Sequence, residues 1–306
     1  MLSKMSNGGI LVVGSVALDS VETPFGARDN ALGGSATYFS ISAGFFNRVN
    51  IVATVGTDFP RRSMDLLRKR GIGLDGLTVD NGKTFRWKGR YRPDLNTVDT
   101  IYTHLNVFKT FDPRIPHELR SLRYVFLANI DPVLQAKVLA SVRKPALVAC
   151  DTMNYWIQSR KKELVALLKK VDMLLLNDSE ARELSQDANL IRAARWIISR
   201  GPGIVVIKKG EHGALCVSRN SCFAAPAFPL TTLRDPTGAG DSFAGGMIGY
   251  LSRVKKHDDA TIRKAIIYGS VMGSYCVEDF GVNRLLRLTP NEIQKRFQEL
   301  RRLTSF

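Results

Sequence analysis

Short apolar runs and helical stretches take turns along this chain. Residues 10–16 (ILVVGSV), 49–56 (VNIVATVG), 124–130 (YVFLANI), 145–151 (PALVACD), 172–177 (DMLLLN) and 203–210 (GIVVIKKG) are nearly continuous apolar runs of strand length. Between them, GSATYFSISAGFF, RRSMDLLRKR, PVLQAKVLASV, SRKKELVALLKKV and DANLIRAARWIISR repeat their apolar positions with a helical period. Strands without a polar face are buried on both sides, and strands alternating with helices imply a parallel sheet covered on both faces. The pattern predicts an α/β fold.

Two stretches break the rhythm. Residues 18–31 are turn-rich and short of apolar positions, and residues 83–111 alternate aromatic and threonine residues without a helical period. Both predict strands of a small accessory β-sheet, an insertion that serves as a lid over a cleft.

The chain has 306 residues, enough for one large α/β domain, and its 44 Lys and Arg outweigh 28 Asp and Glu for a net charge of +16. Such a balance favours anionic partners. The basic residues are dispersed, with short clusters at 68–70, 160–162 and 208–209, and no nucleic-acid-binding motif accompanies them. A solvated surface is the better reading, and no nucleic-acid partner is expected. No run approaches a membrane span. Lys4 followed by ILVVGSVAL resembles a short signal peptide, but the apolar run ends at Asp19 and reads better as a buried strand. The four cysteines form no C-x-x-C pair and three sit among apolar or small residues, which suits a reducing, cytoplasmic setting.

Two stretches offer a phosphate grip. In GIGLDGLTVDNGKT, residues 71–84, Gly71, Gly73 and Gly76 spell G-x-G-x-x-G, and Gly82-Lys83-Thr84 resembles the end of a P-loop. A dinucleotide fingerprint must follow a strand and open a helix. Here a helix precedes Gly71, which reads as its C-terminal glycine, and a strand follows. The P-loop spacing is wrong by one residue, so Asn81-Gly82 is expected to form a hairpin turn.

The second stretch, LRDPTGAGDSFAGGMIGYLSRV at 233–254, passes the test. A turn at Asp235-Pro236 leads through Thr237, Gly238, Ala239 and Gly240 into a helix from about Asp241 to Val254. Small residues let backbone N–H groups at a helix start converge on an anion. Asp241 in an anion site calls for a reason. It is either a general base that takes a proton from an attacking hydroxyl or an N-cap, and the residues alone leave both open. Gly245, Gly246 and Gly249 read as close-packing positions.

Asp235-Pro-Thr-Gly-Ala-Gly-Asp241-Ser-Phe-Ala-Gly-Gly resembles the C-terminal signature of the ribokinase-like, or phosphofructokinase-B, family of carbohydrate and nucleoside kinases. Further matches follow in family order over nearly the whole chain. They are Asp19 after the first strand, Gly33-Gly34 before a helix, VACDTMNYW at 148–156, NDSE at 177–180 and KKGEHGAL at 208–215. The resemblance implies a single ribokinase-like domain over 1–306, a three-layer sandwich whose lid is formed by segments 18–31 and 83–111. It implies ATP and Mg²⁺ as cofactors, with Asp241 as base and Gly238, Ala239 and Gly240 in the anion hole. It also implies acceptor contacts from Asp19, Gly33, Gly34 and Tyr38, and nucleotide-side contacts from Lys209, Gly210 and Gly213. Asn177 and Glu180 would act around Mg²⁺ through water, although without the family they read as a helix cap. Asp235 and Thr237 would line a monovalent-cation (K⁺) site, as in some members. Lid strands often pair between subunits in the family, which allows a homodimer through the lid without compelling one.

One departure bears on the acceptor. Many members carry asparagine four residues after the second glycine of the pair, where this chain has Tyr38. In the lid, Phe85, Trp87, Tyr91 and Phe108 have the chemistry to stack on a base or sugar, and Arg86, Lys88, Arg90 and Arg92 that to meet an anion, but cross-strand pairing is the plainer reading. The expected activity is ATP-dependent phosphorylation of a hydroxymethyl group on a small sugar. The alternatives are a nucleoside kinase of the same fold, and a catalytically silent binder, against which Asp241 and Asn177-x-x-Glu180 argue.

Overall fold

The computed structural model describes residues 9–254 and 256–304; Lys4 lies outside them. The first strand, β1 (Ile10–Val13), shows how the core is organised: Ile10 and Val12 join one apolar cluster, Leu11 and Val13 the other, and all four are fully buried. The chain then runs β2 (Ala17–Thr23), β3 (Gly26–Gly33), α1 (Ser35–Ala43), β4 (Val49–Gly56), α2 (Arg61–Lys69), β5 (Gly73–Asp80), β6 (Arg86–Tyr91) and β7 (Val98–His104). Next come β8 (Tyr124–Leu127), α3 (Pro132–Ser141), β9 (Leu147–Asp151), α4 (Asn154–Ser159), α5 (Lys161–Leu168), β10 (Met173–Asn177), α6 (Asp178–Ser185) and α7 (Leu190–Ile198). The last third holds β11 (Ile204–Lys208), β12 (Ala214–Ser218), β13 (Cys222–Ala225), α8 (Ala239–Arg253), α9 (Asp259–Cys276), α10 (Asn283–Arg287) and α11 (Pro290–Leu303).

A nine-stranded sheet runs in the order β13-β12-β11-β10-β9-β8-β1-β4-β5. Its pairs are parallel except those of β12 with β11 and β13, which add an antiparallel edge. Side chains of α1, α8, α9, α10 and α11 pack on one face, and those of α3, α5, α6 and α7 on the other, giving three layers. Phe39 of α1 stacks on Phe126 of β8 with centroids 4.1 Å apart, and both rings are fully buried. Burial of one such ring contributes roughly 1.5–3 kcal/mol. The glycines of α8 do serve close packing: a Cβ at Gly245 would lie 2.4 Å from the Phe39 carbonyl oxygen.

The second sheet, β3-β2-β6-β7, is the lid. The β2–β3 and β6–β7 pairs are antiparallel, and β2–β6 is parallel. The chain leaves the large sheet after Val13 because Ser15 and Ser35 exchange hydrogen bonds there, Ser35 N donating to Ser15 Oγ at 3.0 Å. That ends the first strand sooner than the apolar run suggests.

Two expectations are corrected. Asn81-Gly82 is not a hairpin turn: β5 belongs to the large sheet and β6 to the lid, so the turn is the crossing between them. It is pinned by Thr57 N donating to the Gly82 carbonyl at 3.0 Å. The lid strands also end at His104, and residues 106–110 form a 3₁₀ turn. Phe108 of that turn stacks on Phe111 in the core beneath, and Phe85 tilts against Phe108. Gly71 does end α2, with φ +72°, while the N–H groups of Gly71 and Ile72 bond the carbonyls of Arg68 and Leu67. Cys150, Cys216 and Cys276 are buried free thiols and Cys222 is exposed. No helix among the described residues is long and apolar enough to cross a membrane.

Candidate active site

The C-terminal ends of β9, β10 and β11 meet the start of α8, where parallel α/β sheets place their ligands. The loop Asp235–Gly238 folds so that Ala239 N donates to the Pro236 carbonyl at 3.1 Å and Ser242 N to that of Gly238 at 2.8 Å. The amides between them, of Gly240 and Asp241, have no intramolecular acceptor among the described residues. They are first-turn donors at the positive end of a 15-residue helix, an arrangement that favours an anion. Gly238 is the N-cap at φ +75°, and a Cβ on it would lie 2.3 Å from the Tyr38 ring, so neither its conformation nor its space admits another residue.

Asp241 is in the first turn of α8 but caps nothing, which removes the N-cap reading. Burial pushes its carboxyl up to about 7, helped by repulsion from Asp151 and Asp19 and opposed by Lys208. A carboxylate poised near neutrality is suited to accept a hydroxyl proton.

Around it stand three more ionisable groups. Asp151, at the end of β9, is 4% exposed. Its Oδ2 accepts from Lys208 Nζ at 3.1 Å. Lys208 ends β11 in register with Asn177. Burial pulls its pKa down, but Asp151, Glu180 and Asp241 together hold it above the ordinary value. Asn177 and Glu180 form a capping box on α6: Asn177 Oδ1 accepts from Glu180 N and Glu180 Oε2 from Asn177 N, both at 2.7 Å. The helix-cap reading of this pair is therefore correct. Burial raises Glu180 to about 7, with Asp151 adding to the shift.

Asp19, the residue expected at the acceptor, is buried at the end of β2 that faces α1. Its Oδ2 accepts from Gly34 N at 3.1 Å, and burial, opposed by that bond and aided by Asp235, lifts its carboxyl to about 7. Gly34, at φ +92°, turns the chain from β3 into α1. Tyr38 is 2% exposed and packs beneath Gly238, so it forms the floor of the loop rather than an open wall. Burial raises its hydroxyl well above the ordinary value.

The lid reaches both sides. Trp87 pairs in register with Asp19, and Gly89 and Tyr91 share its face. The indole folds over Gly89, where a Cβ would lie 2.3 Å from Trp87 Cη2. Tyr91 OH accepts from Thr237 Oγ1 at 3.3 Å, and Asn96 Oδ1 lies 3.0 Å from where a Cβ on Gly210 would be. The basic residues of the other lid face are paired, Arg86 with Asp58, and Lys88 and Arg90 with Glu22; Arg92 pairs with Asp99. Among the four lid aromatics, Trp87 and Tyr91 face the cleft and Phe85 and Phe108 do not. Lys209, Gly210 and Gly213 form the loop from β11 to β12, closed by Lys209 N donating to the Gly213 carbonyl at 2.7 Å. It is Lys208, not Lys209, that reaches the carboxylates. Strand alternation could have separated the two, but only with the register of β11 known.

Among the described residues no three His, Cys, Asp or Glu groups are arranged to hold a metal ion. Asn177 Oδ1 already accepts from both Glu180 N and Ser179 Oγ, whereas Glu180 uses only Oε2 in the cap, so water-mediated contact with a hydrated Mg²⁺ carried by phosphates falls to Glu180 Oε1. Asp235 and Thr237, the residues expected at a monovalent cation, are both tied into the loop by hydrogen bonds. Asp235 Oδ1 accepts from Thr237 N and its Oδ2 from Gly281 N, each at 2.9 Å, while the Thr237 hydroxyl is given to Tyr91. A separate cleft of about 490 Å³ lies behind Asp235, lined by Arg234, Glu278, Asp279, Arg284, Arg287 and Arg296 among others. Three of its arginines are ion-paired with Glu278 or Asp279, and none of Asp19, Asp151, Glu180, Asp235 and Asp241 lines it.

The profile of the pfkB family carbohydrate kinases matches residues 25–287. This chain belongs to the pfkB family. As a pfkB kinase it is an ATP-binding phosphotransferase with an alcohol as acceptor. It is 29% identical over 249 residues to the cytidine kinase of Thermococcus kodakarensis, covering 80% of this chain and 88% of that one. The Burkholderia thailandensis nucleoside kinase in complex with inosine superimposes with a TM-score of 0.80 at 20% identity, covering 95% of this chain and 97% of that one. The Salmonella enterica aminoimidazole riboside kinase, solved with aminoimidazole riboside and an ATP analogue, gives 0.74 at 18% identity, covering 94% and 99%. These two likenesses establish the ribokinase-like fold with its lid.

Proposed function

We propose that this pfkB kinase is an ATP-dependent nucleoside kinase, with cytidine the first acceptor to test. The observation that carries the reading is Trp87 beside Asp19 on the cleft face of the lid. Adjacent strands lie about 4.8 Å apart. Residues in register on adjacent parallel strands point to the same face, so a carboxylate to grip ribose hydroxyls stands beside an indole to stack a base. The named relatives act on or bind nucleosides, which supports this acceptor over the free sugar expected from the sequence.

In this reading Asp19 and the Gly33-Gly34 turn hold the ribose. Asp241 takes the proton of the primary hydroxyl as its oxygen attacks the γ-phosphorus. The bond from phosphorus to the β,γ-bridging oxygen breaks, and ADP leaves with the electron pair. The amides of Gly240 and Asp241 meet the charge on the phosphoryl oxygens. Mg²⁺ would neutralise nucleotide phosphates, and Glu180 would hold a water of its shell through Oε1 while Asn177 fixes Glu180 through the capping box. The lid excludes water, the competing acceptor.

The test is ADP release from Mg·ATP against nucleosides, free sugars and sugar phosphates. Turnover at least tenfold higher in kcat/KM with a nucleoside than with ribose is expected. Preference for a free sugar would overturn the nucleoside assignment and leave the kinase standing.

A further inference from the structure

We propose that Lys208, aimed by Asp151, is a catalytic residue that contacts the transferring phosphoryl group from the side of Gly240. The inference rests on the kinase chemistry and not on the acceptor's identity.

Three observations carry it. First, the Lys208 side chain is only 17% exposed and Asp151 is its ion-pair partner among the described residues. An ammonium has three donors, so two remain. Second, Nζ lies 3.0 Å from where a Cβ on Gly240 would be. The ammonium thus abuts the residue whose backbone amide is free, and any side chain there would press on it. Third, the cation stands amid Asp151, Glu180 and Asp241. A buried ion pair alone contributes little to stability. Its position explains more: a point charge beside two helix amides completes an anion hole on the side the helix does not cover. Asp151 directs Nζ toward the loop and is a positioning residue.

The experiment compares Lys208→Met, Lys208→Arg and Asp151→Asn with the native chain. It measures kcat, both KM values, melting temperature, and calorimetric affinity for ADP and for ADP with aluminium fluoride, in Mg²⁺ and acceptor. Lys208→Met is expected to lower kcat about 10²- to 10³-fold. It should weaken the fluoride complex by a similar factor and leave ADP affinity within about threefold. Lys208→Arg should recover part of the loss. Asp151→Asn should lower kcat while keeping ADP affinity. Near-native kcat in Lys208→Met, or equal loss of ADP and fluoride-complex binding, would overturn the proposal. Should Lys208→Met not fold, native kcat in Asp151→Asn together with Lys208→Arg would overturn it. If the native chain itself binds the fluoride complex no better than ADP, the kinase chemistry is at fault rather than the role of Lys208.

Discussion

The carboxylate of Asp19 fills the space beside Gly33: a Cβ built there would lie 2.0 Å from Asp19 Oδ2. The first glycine of the pair is thus small for the sake of a side chain fourteen positions earlier. The second supplies the turn and the amide that holds the same carboxylate.

If Asp19 holds the acceptor as proposed, Gly33→Ala displaces that carboxylate without touching the nucleotide side. We expect kcat/KM for the acceptor to fall about tenfold or more, the loss of one hydrogen bond to a charged group. ATP affinity should be unchanged. Steady-state kinetics with each substrate varied would check this, and an equal rise in both KM values would count against it.

Asp241→Asn keeps shape and removes the base. Turnover should drop about 10²- to 10⁴-fold with ATP binding retained. To act as a base Asp241 must be ionised, and burial raises its carboxyl to about 7. Accordingly kcat/KM should climb as Asp241, and Asp19 with it, ionise through about pH 7, and level above it. A profile flat from pH 5.5 to 8 would reject Asp241 as the titrating group.

Stability should run the other way. Asp19, Glu180 and Asp241 are all raised to about 7 in the folded chain, against ordinary carboxyl values near 4. Between those limits the folded state holds protons that the unfolded state has released. Their contribution is thus full below the unfolded value and is lost as pH rises through about 7. The melting temperature without ligands should be higher at pH 5.5 than at pH 8, and the pair Asp19→Asn with Glu180→Gln should flatten the slope. Glu292, held down to about 2 chiefly by Arg284, acts below this window. A melting point that rises from pH 5.5 to 8 would contradict the assignment.

Trp87→Leu tests the base platform. Aromatic–base stacking is worth about 1–3 kcal/mol. We expect KM for a nucleoside to rise about tenfold or more and that for ribose to change little. A uniform rise for both would mean that the indole only shapes the lid.

Much of this was legible in the sequence, for a local reason. The six apolar runs became β1, β4, β8, β9, β10 and β11, because burial on both faces writes itself into consecutive residues. The loop from Asp235 to Asp241 was legible because its chemistry is contiguous. What stayed hidden depends on register across strands. Lys208 and Lys209 are adjacent in the chain, and only the pairing with Asn177 assigns Lys208 to the site. Tyr38 is expected at the acceptor, and only the packing of α1 against α8 shows that its ring also sits under Gly238. Asn81-Gly82 has hairpin composition, but its flanking strands joined different sheets. The antiparallel strands β12 and β13 had too short an apolar run to stand out.

The lid also bears on the order in which the molecule assembles. Its central pair joins Leu18 to Arg86, and Arg90 reaches Glu22 across 68 positions of chain. Everything between, from α1 to β5, belongs to the body of the protein apart from the lid's own β3. Closing so long a loop carries an entropic penalty that local structure must first reduce. Docking α1 through β5 into the body shortens that loop, so the joining of β2 to β6 depends on packing outside the lid.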